Sequence, residues 1–154
     1  MLRSFLTVLL CGGTFALAQD PKLVAEHAAL TSDCKAVRGH AQGIVTEASQ
    51  SELNRDVTLA QAQEVAKALR AMEGSLATSK KMLSSAQLKT VSGHYTMLEG
   101  LCTELQKQTS AIVAELQKPT PDRIKVRNMA VDLRTRMKNG AAEHDQMKQK
   151  LGIQ

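Results

Sequence analysis

The sequence contains no tryptophan, one tyrosine and two phenylalanines among 154 residues. Both phenylalanines, Phe5 and Phe15, fall in the first apolar stretch, so Tyr95 is the only aromatic side chain left for the rest of the chain. That scarcity excludes the stacking platforms on which readers of single-stranded nucleic acid rely. Only three prolines are present, and nothing alternates with the period of two that marks a half-buried strand. Several signatures of chemistry are also missing: Cys-x-x-Cys-His, Gly-x-Ser-x-Gly, a phosphate-binding Walker loop and His-Glu-x-x-His. The chain therefore reads as a non-enzyme, and covalent haem attachment is excluded.

What is present begins with a targeting pattern. Met1-Leu2-Arg3 supplies a positive start, Ser4 to Phe15 is apolar, and Ala16-Leu17-Ala18 has the small-x-small form of a cleavage site. A signal peptide over residues 1–18, followed by one domain over 19–154, is the expected organisation, with the product periplasmic or secreted. The run is shorter than the roughly 18 to 20 apolar residues that cross a bilayer, so no stable membrane insertion is expected after cleavage. A lipid anchor at Cys11 is the weaker reading, because Leu10 stands where a small residue is wanted.

Apolar residues make up 43% of the chain and charge is interspersed, which favours a packed domain over disorder. The formal charge of +5 is spread along the sequence and is read as ordinary solubility; with the expected export it argues against a nucleic-acid partner. A protein partner is left open.

Four helical segments account for the remainder. Asp20-Pro21 opens the first with an N-cap acid and a first-turn proline. Leu23, His27, Leu30, Cys34, Val37, Ala41, Ile44 and Ala48 then follow at alternating spacings of four and three, a heptad seam. The second helix is expected over 55–83, with Ala62, Val65, Leu69, Met72, Leu76 and Leu83 inward. The third is expected over 86–118, ended by Pro119 and marked by Leu98, Leu101, Leu105, Ile112 and Leu116; Ser92-Gly93 offers a later start at His94. Thr120-Pro121-Asp122 opens the fourth, read as an N-cap, a first-turn proline and an acid at the positive dipole end. Its seam is Val126, Ala130, Leu133, Met137, Gly140, His144, Met147 and Leu151. Long helices joined by short polar connections predict an all-α, antiparallel up-down-up-down four-helix bundle.

In that topology His27 and His144 fall at one level, each about 9 Å from the same end of the bundle, and His94 lies within a turn of them. Imidazoles on facing bundle helices bind transition metals, so His27, His144 and His94 are the candidate ligands, for copper or zinc. Met147 follows His144 as His-x-x-Met and would add a soft thioether; Met97 stands likewise after His94. Gly140 on the seam leaves room for a ligand plane or for the Tyr95 ring. The competing reading is that these histidines are core residues bonded to neighbours, in a ligand-free structural or interaction bundle of the cell envelope. His40, off the seam, reads as solvated.

Cys34 and Cys102 are the two cysteines left after cleavage. An even count in an exported protein points to a disulfide, closing a loop of about 67 residues. The first and third helices lie on a diagonal of a square bundle, so the bond requires a flattened one; otherwise the thiols are free. The placement of His27 near the start of the first helix and His144 near the end of the fourth resembles the layout of exported b-type cytochrome bundles. That resemblance implies haem b as a less favoured cofactor, since this chain has histidine where that family uses methionine and lacks its aromatic pocket.

Overall fold

The computed structural model describes residues 20–153; the expected signal peptide lies outside them. The described chain is all-helical: α1 spans Pro21–Glu47, α2 Arg55–Met82, α3 Ser85–Leu116 and α4 Arg123–Leu151, with no strand among the described residues. The four form a bundle in which α1 packs on α2 and α4, and α3 on α2 and α4. No Cα of α1 lies within 8 Å of a Cα of α3, so those two helices face each other across a diagonal.

Each start has a chemical cause. The Asp20 carboxylate accepts from the Lys22 amide, with Pro21 behind it in the first turn. Asn54 accepts from the Val57 amide to open α2. Ser84 and Gln87 form a reciprocal capping box that starts α3 at Ser85, so Ser92 and Gly93 are helical and the later start at His94 does not occur. Asp122, rather than Thr120, is the N-cap of α4, accepting from the Lys125 amide; Pro121 stands outside the helix. α4 ends where Gly152 enters the left-handed region at φ 73°, with Lys148 and Lys150 in the last turn at the negative dipole end. The Ile153 amide donates to the Lys148 carbonyl, and the Ile153 side chain is buried beyond it.

The core follows the heptad seams. All eight seam residues of α1 are buried, and α4 buries Val126, Ala130, Leu133, Met137, Gly140, His144 and Met147. On α3 Leu98, Leu105, Ile112 and Leu116 are buried as expected, but Cys102 takes the core position expected of Leu101, which is only partly buried. Leu101 turns over Gly140 instead. A Cβ built on that glycine would stand 2.3 Å from Leu101 Cδ2, so neither a ligand plane nor the Tyr95 ring occupies the gap left by the missing side chain. Tyr95 is fully buried, and its hydroxyl donates to Ser79 Oγ at 2.9 Å; Ser79 in turn donates to the Leu76 carbonyl. The one large polar ring of the interior is thereby satisfied by a small hydroxyl that apolar patterning does not single out.

Candidate functional site

His27 and His144 meet as the seams require. Both are buried, at 0% and 2% exposure, and His27 Nδ1 lies 3.0 Å from His144 Nε2. The ring planes differ by 6° and the centroids are 5.2 Å apart. A centroid separation that nearly reaches the nitrogen separation plus two ring radii leaves one arrangement: the rings are nearly coplanar and edge to edge. That geometry aims an N–H of one ring along the in-plane lone pair of the other, so the contact is a hydrogen bond rather than a face-to-face stack.

Tautomers follow from what surrounds the pair. His27 Nε2 is buried and has no partner among the described residues. If His144 donated, His27 would carry its remaining proton on that nitrogen, as a buried N–H with nothing to bond. Orphaned buried donors are rare and costly. The arrangement with His27 Nδ1–H donating to His144 Nε2 leaves His27 Nε2 as a bare lone pair and places the second ring's proton on His144 Nδ1, which is not among the buried, unpartnered atoms.

Both rings are held neutral. Burial pushes His27 down to about 4, helped by the charge of Lys148. Burial likewise takes His144 to about 4, with His27 and Lys148 acting in the same direction and Asp145 opposing them.

His94 does not join this pair. Its Nδ1 lies 2.5 Å from Glu143 Oε1 on α4, so the third expected ligand is engaged by a carboxylate on the flank of the bundle. Met147 is buried in the core, while Met97 is 61% exposed and points away from it. Among the described residues no group of three or more His, Cys, Asp or Glu side chains is placed to hold a metal ion. The orientation of His27 and His144 also differs from ligation: the two nitrogens face each other at 3.0 Å in nearly coplanar rings, whereas the ligands of one ion point at a shared third centre.

The disulfide expectation is corrected. Cys34 and Cys102 are both buried and unbonded. A disulfide needs Cα atoms within about 7 Å, whereas α1 and α3 approach no closer than 8 Å anywhere. The bundle is not flattened, so the diagonal keeps the two backbones too far apart for a bond. Burial raises Cys34 to about 11 and Cys102 to about 12, with nearby carboxylates adding to each. Both are therefore protonated at neutral pH and behave as small core residues rather than nucleophiles or thiolate ligands.

His40 is half-buried rather than solvated: its Nδ1 lies 2.8 Å from Gln61 Oε1, linking α1 to α2. Gly43 permits that approach, since a Cβ there would stand 2.9 Å from the same oxygen.

A second polar cluster lies at the other end of α4, unannounced by any seam. Glu115 is buried to 4% exposure near the end of α3. Its carboxylate accepts from Lys118 Nζ at 2.8 Å and the Asp122 amide at 3.3 Å, and pairs with Lys125 Nζ at 2.9 Å. Hydrogen bonds from Lys118 and then Lys125 hold Glu115 down to about 2. The sequence signal is a glutamate four residues before Pro119, followed by lysines three and ten residues on, which outlines a turn clamp only once the fold is known.

Two surface grooves lie among the described residues. One of about 440 Å³ runs between α3 and α4 over Leu101 and Gly140, beside exposed Met97 and the Glu104–Arg136 ion pair. The other, of about 680 Å³, lies between α1 and α4 and is lined by basic residues. No family model, curated protein or solved structure matches this chain.

Proposed function

We propose that this chain is an exported, non-catalytic helical bundle of antiparallel up-down-up-down topology that serves in the periplasm or outside the cell as a structural or protein-interaction module. The topology is supported by contacts between chain-distant ends. Arg55 at the start of α2 donates to the carbonyls of Lys118 and Pro119 just beyond α3, and His27 early in α1 meets His144 late in α4. The export reading rests on the leader-like pattern of residues 1–18.

The observation that carries the structural role is the 3.0 Å bond between two buried, neutral imidazoles. Each supplies what the other lacks, the way buried polar groups are satisfied in a core, and the pair fixes the register of α1 against α4. A transition-metal role, copper-like or zinc, remains the second reading. It is favoured by the buried, unpartnered His27 Nε2, a free lone pair beside a second imidazole. In that reading His27 and His144 are the ligands, and Met147 or a His94 released from Glu143 completes the set. Haem b is the least supported cofactor, since Leu101 fills the only gap in the α4 seam.

The test is elemental analysis and visible spectroscopy of protein purified from the exported fraction, alongside the His27→Ala/His144→Ala variant. The structural reading expects a colourless protein with far less than one copper or zinc per chain in both samples. Stoichiometric metal or a Soret band that disappears in the variant would replace it with the metal or haem reading.

A further inference from the structure

Four of the positive charges that look evenly spread along the sequence share one groove. Lys35, Arg38 and Gln42 on α1 and Arg134, Thr135 and Lys138 on α4 line one groove of about 680 Å³. None of its four cations forms an ion pair among the described residues. No carboxylate lines the groove. Asp145 lies in the small hollow that Lys35, Arg38 and His144 share, and Lys148 engages it. Unbalanced like charges repel one another and are retained at a cost that an anion would relieve.

The geometry is that of a receptor for something small and highly charged. Lys35 and Gln42 are seven residues apart, so the cations span about 10 Å along the helices. Arg134 Nη1 donates to Gln42 Oε1, which holds that guanidinium across the groove from α4 to α1. Gly39 lies at the groove with nothing within 4 Å of where a Cβ would be, leaving room for a ligand to approach the backbone. A flat membrane is a poorer match than a soluble anion. The exposed large apolar residues of the described chain are Val57, Met97 and Ile124, none on this face, so nothing here would enter the acyl region.

We propose that the α1/α4 groove binds a soluble oligoanion carrying at least two phosphate-type groups. Arg38 and Arg134 supply forked hydrogen bonds, Lys35 and Lys138 supply point charges, and Thr135 and Gln42 mark the two walls. One bound group sits near Arg134 and another near Lys35, which a single orthophosphate cannot span.

Isothermal titration of the purified protein at low ionic strength tests this with tripolyphosphate, orthophosphate and phosphatidylglycerol vesicles as probes. Tripolyphosphate is expected to bind one to one, more tightly than orthophosphate, with affinity falling as salt rises. Lys35→Gln/Arg38→Gln/Arg134→Gln/Lys138→Gln should weaken it at least about tenfold, because several charge-assisted hydrogen bonds are lost. A control of equal charge change on other faces, Arg70→Gln/Lys81→Gln/Lys89→Gln/Lys107→Gln, should change it by about twofold at most. Gly39→Glu provides a second variant that removes no side chain and meets no neighbour; its carboxylate in the groove should abolish binding while the thermal midpoint holds. Equal loss in the groove and control variants, unchanged binding in Gly39→Glu, absence of tripolyphosphate binding, or binding to vesicles alone would each overturn the proposal.

Discussion

The two ends of α4 solve one problem in opposite ways. Near its C-terminus two histidines enter the core, and burial removes their charge, leaving a neutral N–H···N bond. Near its N-terminus Glu115 enters the interior and keeps its charge, because two lysines and a backbone amide converge on it. The difference lies in reach. Lys118, in the turn after α3, and Lys125 on α4 reach Glu115 while their own bodies stay in water, whereas at the imidazole pair burial outweighs the Asp145 charge and Lys148 acts against a charge on either ring. A buried group keeps its charge only where a flexible opposite charge can follow it in.

That contrast can be broken most severely at the histidines. Replacing His144 alone with alanine leaves a cavity and strands the His27 Nδ1–H; a loss of about 3–5 kcal/mol in chemical denaturation is expected. The double His27→Leu/His144→Leu variant should lose much less than the sum of the singles, because both polar groups disappear together. Additive losses would mean that the bond between the rings does not exist in solution.

The acid response separates the two ends. Unfolded imidazoles take up protons near 6.5 and the folded ones only near 4, so between those values the unfolded state binds more protons and stability rises with pH. The histidine contribution is thus present above pH 6.5 and is lost as pH falls towards 4, on the order of 3 kcal/mol per ring. Glu115 has a depressed folded value, so its contribution is present above about 4.5 and disappears as pH falls towards 2. Denaturation from pH 7 to 2 should show two steps. The upper one vanishes in His27→Leu/His144→Leu and the lower one in Glu115→Gln; a single step surviving in both variants would remove the comparison.

Smaller effects sharpen it. Tyr95→Phe should cost about 1 kcal/mol, since Ser79 keeps its own bond to the Leu76 carbonyl when the phenol is lost. Gly140→Ala sets about 1 kcal/mol of helix propensity against displacement of the Leu101 side chain, and the near-cancellation should appear as a thermal midpoint little changed from the parent.

The sequence made the histidine end readable and the glutamate end obscure for a physical reason. The heptad seams of α1 and α4 identify the core-facing positions there, and nearly equal residue counts from the helix ends place His27 opposite His144. Flank positions carry no such rule. His94 faces Glu143, and Glu115 meets Lys125 across a turn, through side-chain reach that periodicity does not encode. The cysteine count suggested a bond that the diagonal forbids. The basic groove is hidden in the chain because about a hundred residues separate its two walls.

The state of the two imidazoles is open to direct observation by nitrogen-15 NMR across a pH titration of the folded protein. The account predicts that His27 and His144 remain neutral to about pH 4, with a proton on His27 Nδ1 scalar-coupled to His144 Nε2. Two rings that titrate independently near 6.5, with no coupling between them, would contradict it.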